Sequence, residues 1–165
     1  MDIDVAVRRA GAKDIAPLAA LFVALDEHHF HLRPELFKAL TGPARNEAVI
    51  GGFIDSDRQV IFVAEARDRP EALAGLVHVL EREIAETIVA PARRVAEVDA
   101  MVVTPERRGG GIARRLLDEA EAWARARQLV ALELNVRGFN APAFAAYQAL
   151  GFEPLAHRMG RTISY

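Results

Sequence analysis

The sequence has 165 residues, of which 52% are apolar and 27% charged, and its mean hydropathy is +0.07. A chain of this length and balance is sufficient for one hydrophobic core, so we predict a single soluble domain over residues 1–165 and exclude a disordered or membrane-embedded protein. The formal net charge of −2 excludes a surface that is basic throughout, which makes nucleic acid an unfavoured partner.

Cysteine is absent, which excludes disulfides, thiol nucleophiles and Cys-ligated metals. The first residues contain no apolar signal segment, and no stretch reaches the roughly 18 apolar residues of a spanning helix, so we expect a cytoplasmic protein with no membrane partner. His28, His29 and His31 fall within four residues of one another. Nothing nearby completes a tetrahedral set of ligands, and we therefore predict no metal site.

A strand, two helices and a hairpin are predicted in the first half of the chain. Apolar residues three and four apart predict a helix that begins at its N-cap, Asp14, and loses its apolar stripe at Asp26. Pro34 then restarts a short helical turn. The other predicted elements are a strand over Val5 to Arg8, a helix over Asn46 to Ile54 after the break at Gly42 and Pro43, and a hairpin from Gln59 with its turn over Arg67 to Glu71.

The second half alternates strands and helices. The segment AEVDAMVV, residues 96 to 103, reads as a mostly buried strand, and the amphipathic helix after it runs to about Arg127. With a strand over residues 129 to 136, this forms a βαβ unit. The other predicted elements are a connection over Ala85 to Arg94, a turn over Thr104 to Gly111, a helix from its N-cap Asn140 to Leu150 with Gly151 at C′, and strand-like pieces from Phe152 to Ser164 interrupted by Pro154.

Three consecutive glycines, Gly109 to Gly111, join the buried strand to the N-terminus of the amphipathic helix. Glycines present successive backbone N–H groups, and a helix N-terminus carries about half a positive charge. Fixed cations surround the turn at Arg107, Arg108, Arg114 and Arg115. The turn is therefore suited to a phosphate or pyrophosphate, and the competing interpretation is a flexible turn with solvated arginines.

The spacing around the turn separates the known kinds of phosphate site. No Lys or Ser/Thr follows the glycines, which excludes a P-loop, and Arg114 stands where a dinucleotide fingerprint needs its third glycine. The residues from Arg108 to Ala113 read R-x-x-G-x-A after a strand that ends V-x-P. This segment resembles the pyrophosphate loop of the GCN5-related N-acetyltransferases (GNATs).

Two further segments are similar to the same family. Arg8 to Ile15 gives R-x-A-x-x-x-D-I, and Asn140 to Phe152 gives N-x-x-A-x-x-x-Y-x-x-x-G-F. The resemblance implies an α/β fold with a mixed, mostly antiparallel sheet of six or seven strands flanked by about four helices. In that fold the fourth and fifth strands splay apart and open a slot for the pantetheine arm, here between residues 97 to 103 and 130 to 136.

The resemblance also implies acetyl-CoA as co-substrate, with no metal. A backbone N–H at Met101 or Val102 would point at the thioester oxygen, and Asn140 would hold the pantetheine amides. Tyr147 would give the leaving thiolate its proton as general acid, and the competing interpretation of Tyr147 is a core aromatic. The residues assigned to the co-substrate are Met101, Val102, Val103, Arg107, Arg108, Gly109, Gly110, Gly111, Ile112, Ala113, Asn140, Ala143 and Tyr147.

Two carboxylates, Glu97 and Asp99, are the candidates for the general base that an amine needs. Strict alternation along the strand places them on one face with Met101 and Val103, and Val98, Ala100 and Val102 on the other. Mutual repulsion would raise a carboxyl pKa toward neutrality. The resemblance favours Asp99 as the base, and the competing interpretation is that one or both carboxylates pair with arginines such as Arg93 or Arg94.

The acceptor side is less defined. In the resembling fold the end of the first helix helps to form the acceptor pocket, which makes Asp26, Glu27, His28 and Phe30 candidate substrate contacts, unless they are a solvated helix end. We predict direct attack by a primary amine of a small molecule or peptide in a ternary complex. The alternatives are a non-catalytic acyl-CoA-binding or sensing module and a toxin-type aminoacyl-tRNA acetyltransferase, and the sequence is compatible with a homodimer.

Overall fold

The computed structural model describes residues 5–163. These residues form two compact units, the first ending at Asn135 and the second beginning at Val136. That the chain is one domain stays a prediction.

The first unit is built on one mixed sheet. Its strands follow the chain in order, and each pairs with the next in antiparallel fashion except the last two, which run parallel. The strands are β1 (Val5–Arg9), β2 (Gln59–Ala66), β3 (Arg69–Ile84), β4 (Arg93–Val103) and β5 (Leu132–Leu134). The predicted hairpin is β2–β3, and the mixed α/β fold is confirmed.

The described residues contain five strands, where the resemblance implied six or seven. The strand predicted over residues 129 to 136 shortens to three residues, and no strand forms over residues 152 to 163. In that tail Pro154 lacks an N–H for a ladder, and Leu155, Met159 and Ile163 are largely exposed, so no apolar face is buried to stabilise a strand. By contrast, β3 begins at Arg69, inside the predicted turn, and β4 begins at Arg93, three residues before its predicted start.

Over residues 5–163 the chain also forms four α-helices: α1 (Ile15–Leu32), α2 (Glu47–Asp55), α3 (Ile112–Ala126) and, in the second unit, α4 (Ala141–Ala149). The sequence predicts that the apolar stripe ends at Asp26, and α1 continues for six residues beyond it. It ends at Arg33, whose ψ of 75° is not helical, as expected for a residue that precedes a proline. After Pro34 the chain makes a single hydrogen-bonded turn, in which the Leu36 and Phe37 N–H groups donate to the Arg33 carbonyl at 3.0 and 3.3 Å, and no helix follows it before α2.

The R-x-A-x-x-x-D-I segment fastens β1 to the start of α1. Asp14 does not cap the helix with its side chain; its carboxylate instead accepts hydrogen bonds from the Arg8 guanidinium at 2.7 and 2.8 Å and from the Gly11 N–H at 2.8 Å. The Arg8 donors hold the pKa of Asp14 below its ordinary value of 3.8. The segment therefore has a structural role in this chain.

The two faces of the sheet have different cover. On one face, α1 and α2 bury Leu18, Phe22 and Ile50 in a cluster with Leu76 and Ala100 of the sheet. On the other face lies α3, whose apolar stripe is buried as its 3- and 4-residue spacing predicts. The buried residues of that stripe are Ile112, Leu116, Leu117, Ala120 and Ala124. Because both faces are covered, β4 can present reactive groups only along its edge and near its ends.

Candidate active site

The parallel pairing of β4 with β5 stops abruptly. Ala96 to Val98 pair with Leu132 to Leu134, and no described residue pairs with β4 at this edge from Asp99 to Val103. The splayed pair that the resemblance implied is thus confirmed. The backbone of residues 99–103 is left open along one edge, as an extended ligand would require for β-type hydrogen bonds.

A β-bulge lies where the two strands separate. Val98 pairs with Val79 and Ala100 pairs with His78, so that Asp99 is an extra residue without a partner on β3. Residues directly opposite each other share a face, so Ala100 lies on the same face as Glu97, which is opposite Leu80. The predicted alternation is therefore wrong beyond the bulge.

As a consequence, Met101 and Val103 lie on the opposite face from Glu97. Val102 instead packs against the core cluster that contains Ala100, on the side of α1 and α2. Met101 and Val103 pair with Val77 and Gly75 on the α3 side. The single inserted residue at position 99 accounts for the whole change, because side-chain direction in a strand alternates with each residue.

Asp99 is hydrogen-bonded to a buried histidine. Its Oδ2 lies 3.3 Å from Nδ1 of His78, and Nε2 of the same ring lies 2.8 Å from Oε1 of Gln59. The His78 side chain is 2% exposed, whereas that of Asp99 is 40% exposed. Through this contact His78 lowers the pKa of Asp99 from its ordinary value of 3.8, so the expected rise toward neutrality is wrong.

Aromatic rings hold the histidine in place. Phe53 of α2 stacks on the imidazole with ring centroids 4.6 Å apart, and Phe22 of α1 meets it edge-on at 6.4 Å. A ring enclosed in this way cannot rotate freely or exchange its partners for water. Gln59, His78 and Asp99 therefore form a fixed polar chain from β2 through β3 to the half-exposed carboxylate on β4.

Glu97 has a different partner. Arg82 of β3 binds its carboxylate with an N to O distance of 3.2 Å, and the Glu97 side chain is 18% exposed. The arginines that the sequence suggested as partners bind elsewhere, since Arg93 pairs with Glu133 and Arg94 with Glu81. Glu97 is thus engaged in an ion pair, while Asp99 keeps one side open to solvent.

The glycine turn has the geometry of an anion site. Gly109 and Gly111 have φ of 79° and 78°, in the left-handed region that favours glycine, and Gly111 is the N-cap of α3. No backbone hydrogen bond from the described residues engages the N–H groups of residues 109 to 113. Since a Cβ on either left-handed glycine would meet only open space, the turn is also accessible. These free donors at a helix N-terminus fit a pyrophosphate.

Arg107 and Arg108, at the start of the glycine turn, bind other groups of the protein. Arg107 pairs with Asp68 at 2.6 Å, and Arg108 donates from Nε to the carbonyl of Val103 at 3.1 Å. Arg108 therefore also connects the glycine turn to the end of the open edge of β4. Asp68 therefore offsets one of the four arginines predicted to surround the turn.

The second unit holds the other residues assigned to the co-substrate. Asn140 caps α4, because its Oδ1 accepts a hydrogen bond from the Ala143 N–H at 3.3 Å. Gly151 follows the helix with φ of 96°, and the Phe152 N–H donates to the Tyr147 carbonyl at 3.0 Å. Burial raises the pKa of the Tyr147 phenol, which keeps it protonated at neutral pH.

The candidate acceptor residues lie in the last two turns of α1. Asp26 is not available as a free anion, because Arg45 binds its carboxylate at 2.9 Å and also lies over the Phe22 ring. Glu27 and His28 are exposed, and Phe30 is partly buried with its ring against His31. Asp26 is thus committed to Arg45, while Glu27 and His28 lie at the surface of α1.

His78 and Gln59 are the site residues that sequence reasoning missed. The available signal was a single imidazole in LAGLVHVLE, at a position of a buried strand where an apolar residue was expected. The bulge that brings Asp99 to it leaves no mark in one sequence. Among residues 5–163, no group of three or more His, Asp or Glu side chains could hold a metal ion, and no helix is long and apolar enough to cross a membrane.

Comparison with known proteins adds independent information. The family described as Acetyltransferase (GNAT) family matches residues 22–152 of the chain. A streptothricin acetyltransferase of Escherichia coli is 36% identical over 58 residues, which is 35% of this chain and 33% of that protein. The chain thus matches about a third of the length of this curated relative.

Solved structures resemble the whole fold. A mutant of the BH1408 protein of Bacillus halodurans gives a TM-score of 0.88 at 23% identity, over 96% of this chain and 99% of that one. Aminoglycoside N-acetyltransferase AAC(6')-Iy, solved in complex with CoA, gives a TM-score of 0.70 at 15% identity, over 97% of this chain and 100% of that one. At these identities the likeness shows the fold alone.

Proposed function

Since this chain belongs to the GNAT acetyltransferase family, we propose that it is an acetyl-CoA-dependent N-acetyltransferase that acts on a primary amine by direct attack in a ternary complex. The observation that carries the proposal is the open edge of β4, which begins at the half-exposed carboxylate of Asp99 and leads to the glycine turn. A binding module would need the glycine turn alone, whereas a carboxylate held at the start of the open edge adds a group that can act on an amine.

The glycine turn binds the acyl donor. The N–H groups of Gly109 to Ala113 and the positive end of α3 hold the pyrophosphate, with Arg108 beside them. Met101 or Val102 donates its backbone N–H to the thioester oxygen, where negative charge grows during attack. The donor supplies the activated acetyl group, and these residues orient it without any contribution from a metal.

Asp99 acts on the acceptor. Because amines are largely protonated at neutral pH, the ionised carboxylate first attracts the ammonium group and then takes a proton from it, directly or through water. Tyr147 returns a proton to the departing thiolate; the family pattern supports this role, and burial, which raises the phenol pKa, leaves that proton in place at neutral pH. Glu97, held by Arg82, serves the structure of β4 and does not act as the base.

The acceptor is a small cationic amine. The relatives named above act, by their names, on streptothricin and on aminoglycosides, which supports a small-molecule acceptor for this chain too. Glu27, His28 and Phe30 on α1 contribute contacts, while Asp26 orients Arg45 and does not bind the amine itself. Attraction between Asp99 and a protonated amine gives the site its preference for cations.

A thiol-release screen tests the proposal. Acetyl-CoA is offered with a panel of amines that includes aminoglycosides, streptothricin, polyamines and peptides with free N-termini, and free CoA thiol is measured over time. We expect release with one class of small amine and a mono-acetylated product by mass spectrometry. Stabilisation by acetyl-CoA with no product from any amine would support a sensing module instead, and product from aminoacyl-tRNA alone would support the toxin-type reaction.

A further inference from the structure

An arginine with unused hydrogen-bond donors lies on the acceptor side of the site. We propose that Arg45 binds an anionic group of the acceptor, so that the substrate class is an amine that also carries a carboxylate or a phosphate. The inference rests on the proposed function, because it concerns the acceptor of the same acetyl transfer. It narrows the small cationic amine to one whose ammonium group meets Asp99 and whose oxyanion meets Arg45.

Arg45 belongs to the same neighbourhood as Asp99. It immediately precedes Asn46, the cap of α2, and its guanidinium lies over the Phe22 ring, with Cζ 4.6 Å from the ring centroid. Phe22 in turn meets the imidazole of His78 edge-on at 6.4 Å, and that imidazole is hydrogen-bonded to Asp99. The hydrogen bond from His78 is the main cause of the lowered pKa of Asp99, and the charge of Arg45 acts in the same direction. The two charged groups therefore lie within electrostatic range of each other.

The ion pair with Asp26 occupies only part of the Arg45 guanidinium. Both oxygens of Asp26 accept from Nη1, at 3.1 and 2.9 Å. No residue in the part of the chain that the structure describes accepts a hydrogen bond from Nε or Nη2 of Arg45. Those two N–H groups form one edge of a planar fork that matches the two oxygens of a carboxylate or phosphate. Since the Arg45 side chain is 24% exposed, a small ligand can reach it.

Arg82 also acts on Asp99, but its donors are already engaged. It binds the two carboxylate oxygens of Glu97 through Nε and Nη1, at 3.2 and 3.4 Å. A ligand oxyanion that needs two donors would therefore have to displace Glu97 from Arg82. Arg45 can take a second oxyanion while it keeps Asp26, which makes it the better candidate.

The charges around Asp99 fit one ammonium group better than several. Arg45 neutralises Asp26, and Arg82 neutralises Glu97. Of these three carboxylates, Asp99 alone has no arginine bound to it among the described residues. One unpaired carboxylate balances one ammonium group, whereas a polycation would need further unpaired acids close by. The pattern therefore favours an amino carboxylate or an aminoalkyl phosphate over a polyamine.

An extended amine screen tests the anion preference. The thiol-release assay is run with amino acids of each side-chain class, ω-amino acids, aminoalkyl phosphates and diamines. We expect the fastest acceptor to carry a carboxylate or a phosphate, and the class of that acceptor identifies the oxyanion. Its kcat/KM should exceed that of its uncharged partner, the amide or the alcohol, by at least about 10-fold. A fastest acceptor without an oxyanion, or an uncharged partner that is equally good, would overturn the inference.

Two variants separate recognition of the acceptor from a purely structural ion pair. Arg45→Gln removes both the fork and the pair with Asp26, whereas Asp26→Asn removes the pair and keeps the guanidinium. We expect the ratio of kcat/KM between the anionic amine and its uncharged partner to fall to about 1 in Arg45→Gln. Asp26→Asn should keep or increase the ratio, because the competing carboxylate is gone. Equal losses in both variants would show a structural pair and would overturn the inference.

A matched control removes an arginine elsewhere in the first unit. Arg125 lies on α3, its side chain is 78% exposed, and its printed partner is Glu121 of the same helix. Arg125→Gln should therefore keep the wild-type ratio. All three variants should keep the stabilisation by acetyl-CoA, which shows that they are folded. A loss of the ratio in Arg125→Gln as well would mean that the preference comes from overall charge and not from Arg45.

Binding without turnover separates this inference from the proposed function. Ligand-observed NMR follows the same amino acids and aminoalkyl phosphates with the CoA-loaded wild type and with CoA-loaded Arg45→Gln. If these compounds bind only to the wild type while no amine is acetylated, the transferase assignment fails and the anion site stands. If an amine is acetylated and Arg45→Gln leaves the ratio unchanged, only the role of Arg45 fails.

Discussion

The two halves of β4 differ although they belong to one strand. From Arg93 to Val98 the strand pairs with β3, and Ala96 to Val98 also pair with β5. The charged side chains of this half are paired with Glu133, Glu81 and Arg82. From Asp99 to Val103 the strand pairs with β3 only, and its one charged side chain faces a histidine and the solvent. The bulge at Asp99 marks the boundary, and we refer to the closed half and the open half.

The difference explains why two carboxylates two residues apart are suited to different tasks. Glu97 lies in the closed half, where an ion pair and two neighbouring strands fix it as part of the sheet. Asp99 lies where the ladder to β5 has ended, so it is supported from behind by His78 and accessible from the front. Position relative to the end of a strand pair, more than residue type, decides which carboxylate can meet a substrate.

The largest effect is expected from removing the charge in the open half. Asp99→Asn should lower kcat/KM by about 10²- to 10⁴-fold, because the site loses both its anion and its base. The matched change in the closed half, Glu97→Gln, should alter the rate less than about 5-fold, since one partly exposed ion pair is worth about 1 kcal/mol or less. Steady-state kinetics of the two purified variants give the kcat/KM of each relative to the wild type. Equal losses would mean that the two halves do not differ in function.

If the open half supplies the base, the acid comes from elsewhere in the chain. Tyr147→Phe removes only a hydroxyl and should lower kcat by about 10²-fold while the Kd for acetyl-CoA stays within about 2-fold. Calorimetric titration and turnover at saturating substrate measure the two quantities. A variant with the wild-type kcat would exclude Tyr147 as the acid.

Among the described strands, β3 alone pairs with the open half, and Gly75 of β3 lies very close to its backbone. A Cβ built on Gly75 would stand 2.5 Å from the carbonyl oxygen of Val102 and 3.3 Å from Cα of Val103, and neither backbone atom can move aside cheaply. Gly75→Ala should therefore lower the free energy of unfolding by about 1–3 kcal/mol. Gly52→Ala, at an exposed position of α2 with no atom within 4 Å of the added Cβ, is the control and should be neutral or stabilising. Chemical denaturation measures the free energy of unfolding of both variants, and equal effects of the two changes would contradict this prediction.

The smallest effect concerns acid stability. His78 lowers the pKa of Asp99 below its ordinary value of 3.8, so ionised Asp99 stabilises the fold above that pH. This contribution is lost as pH falls through the lower pKa of the folded state. The difference in Tm between the wild type and Asp99→Asn should therefore shrink below about pH 4. A difference that grows on acidification would mean that burial, which raises the pKa, outweighs the hydrogen bond.

The glycine turn and the order of the elements around it can be predicted from the sequence alone. Gly109 to Gly111 and the stripe of α3 can be predicted because their signals are local, arising from permissive backbone and from 3.6-residue spacing. The helix predicted over Asn46 to Ile54 is equally local and is confirmed as α2, which Asn46 caps with Oδ1 accepting from the Val49 N–H at 3.0 Å.

What could not be predicted depends on register between distant strands. The bulge at Asp99 follows from how β4 pairs with β3, and alternation without it assigned Met101 to the wrong face. The partners of Arg93, Arg94 and Glu97 are set by the same register, so nearness in sequence gave the wrong pairs. His78 was overlooked because a buried imidazole acquires meaning only when Asp99 and Gln59 are brought to it from two other strands.

The most direct test of the account is a calorimetric titration of acetyl-CoA into the wild type and two glycine variants. Gly111→Glu adds a negative charge and a strained side chain at the N-cap of α3. Gly52→Glu adds the same charge at an exposed position of α2. We predict one molecule bound per chain, an affinity that falls at least about 10-fold in Gly111→Glu and is unchanged in Gly52→Glu, with both variants folded. No binding to the wild type, or equal affinities in all three proteins, would contradict the account.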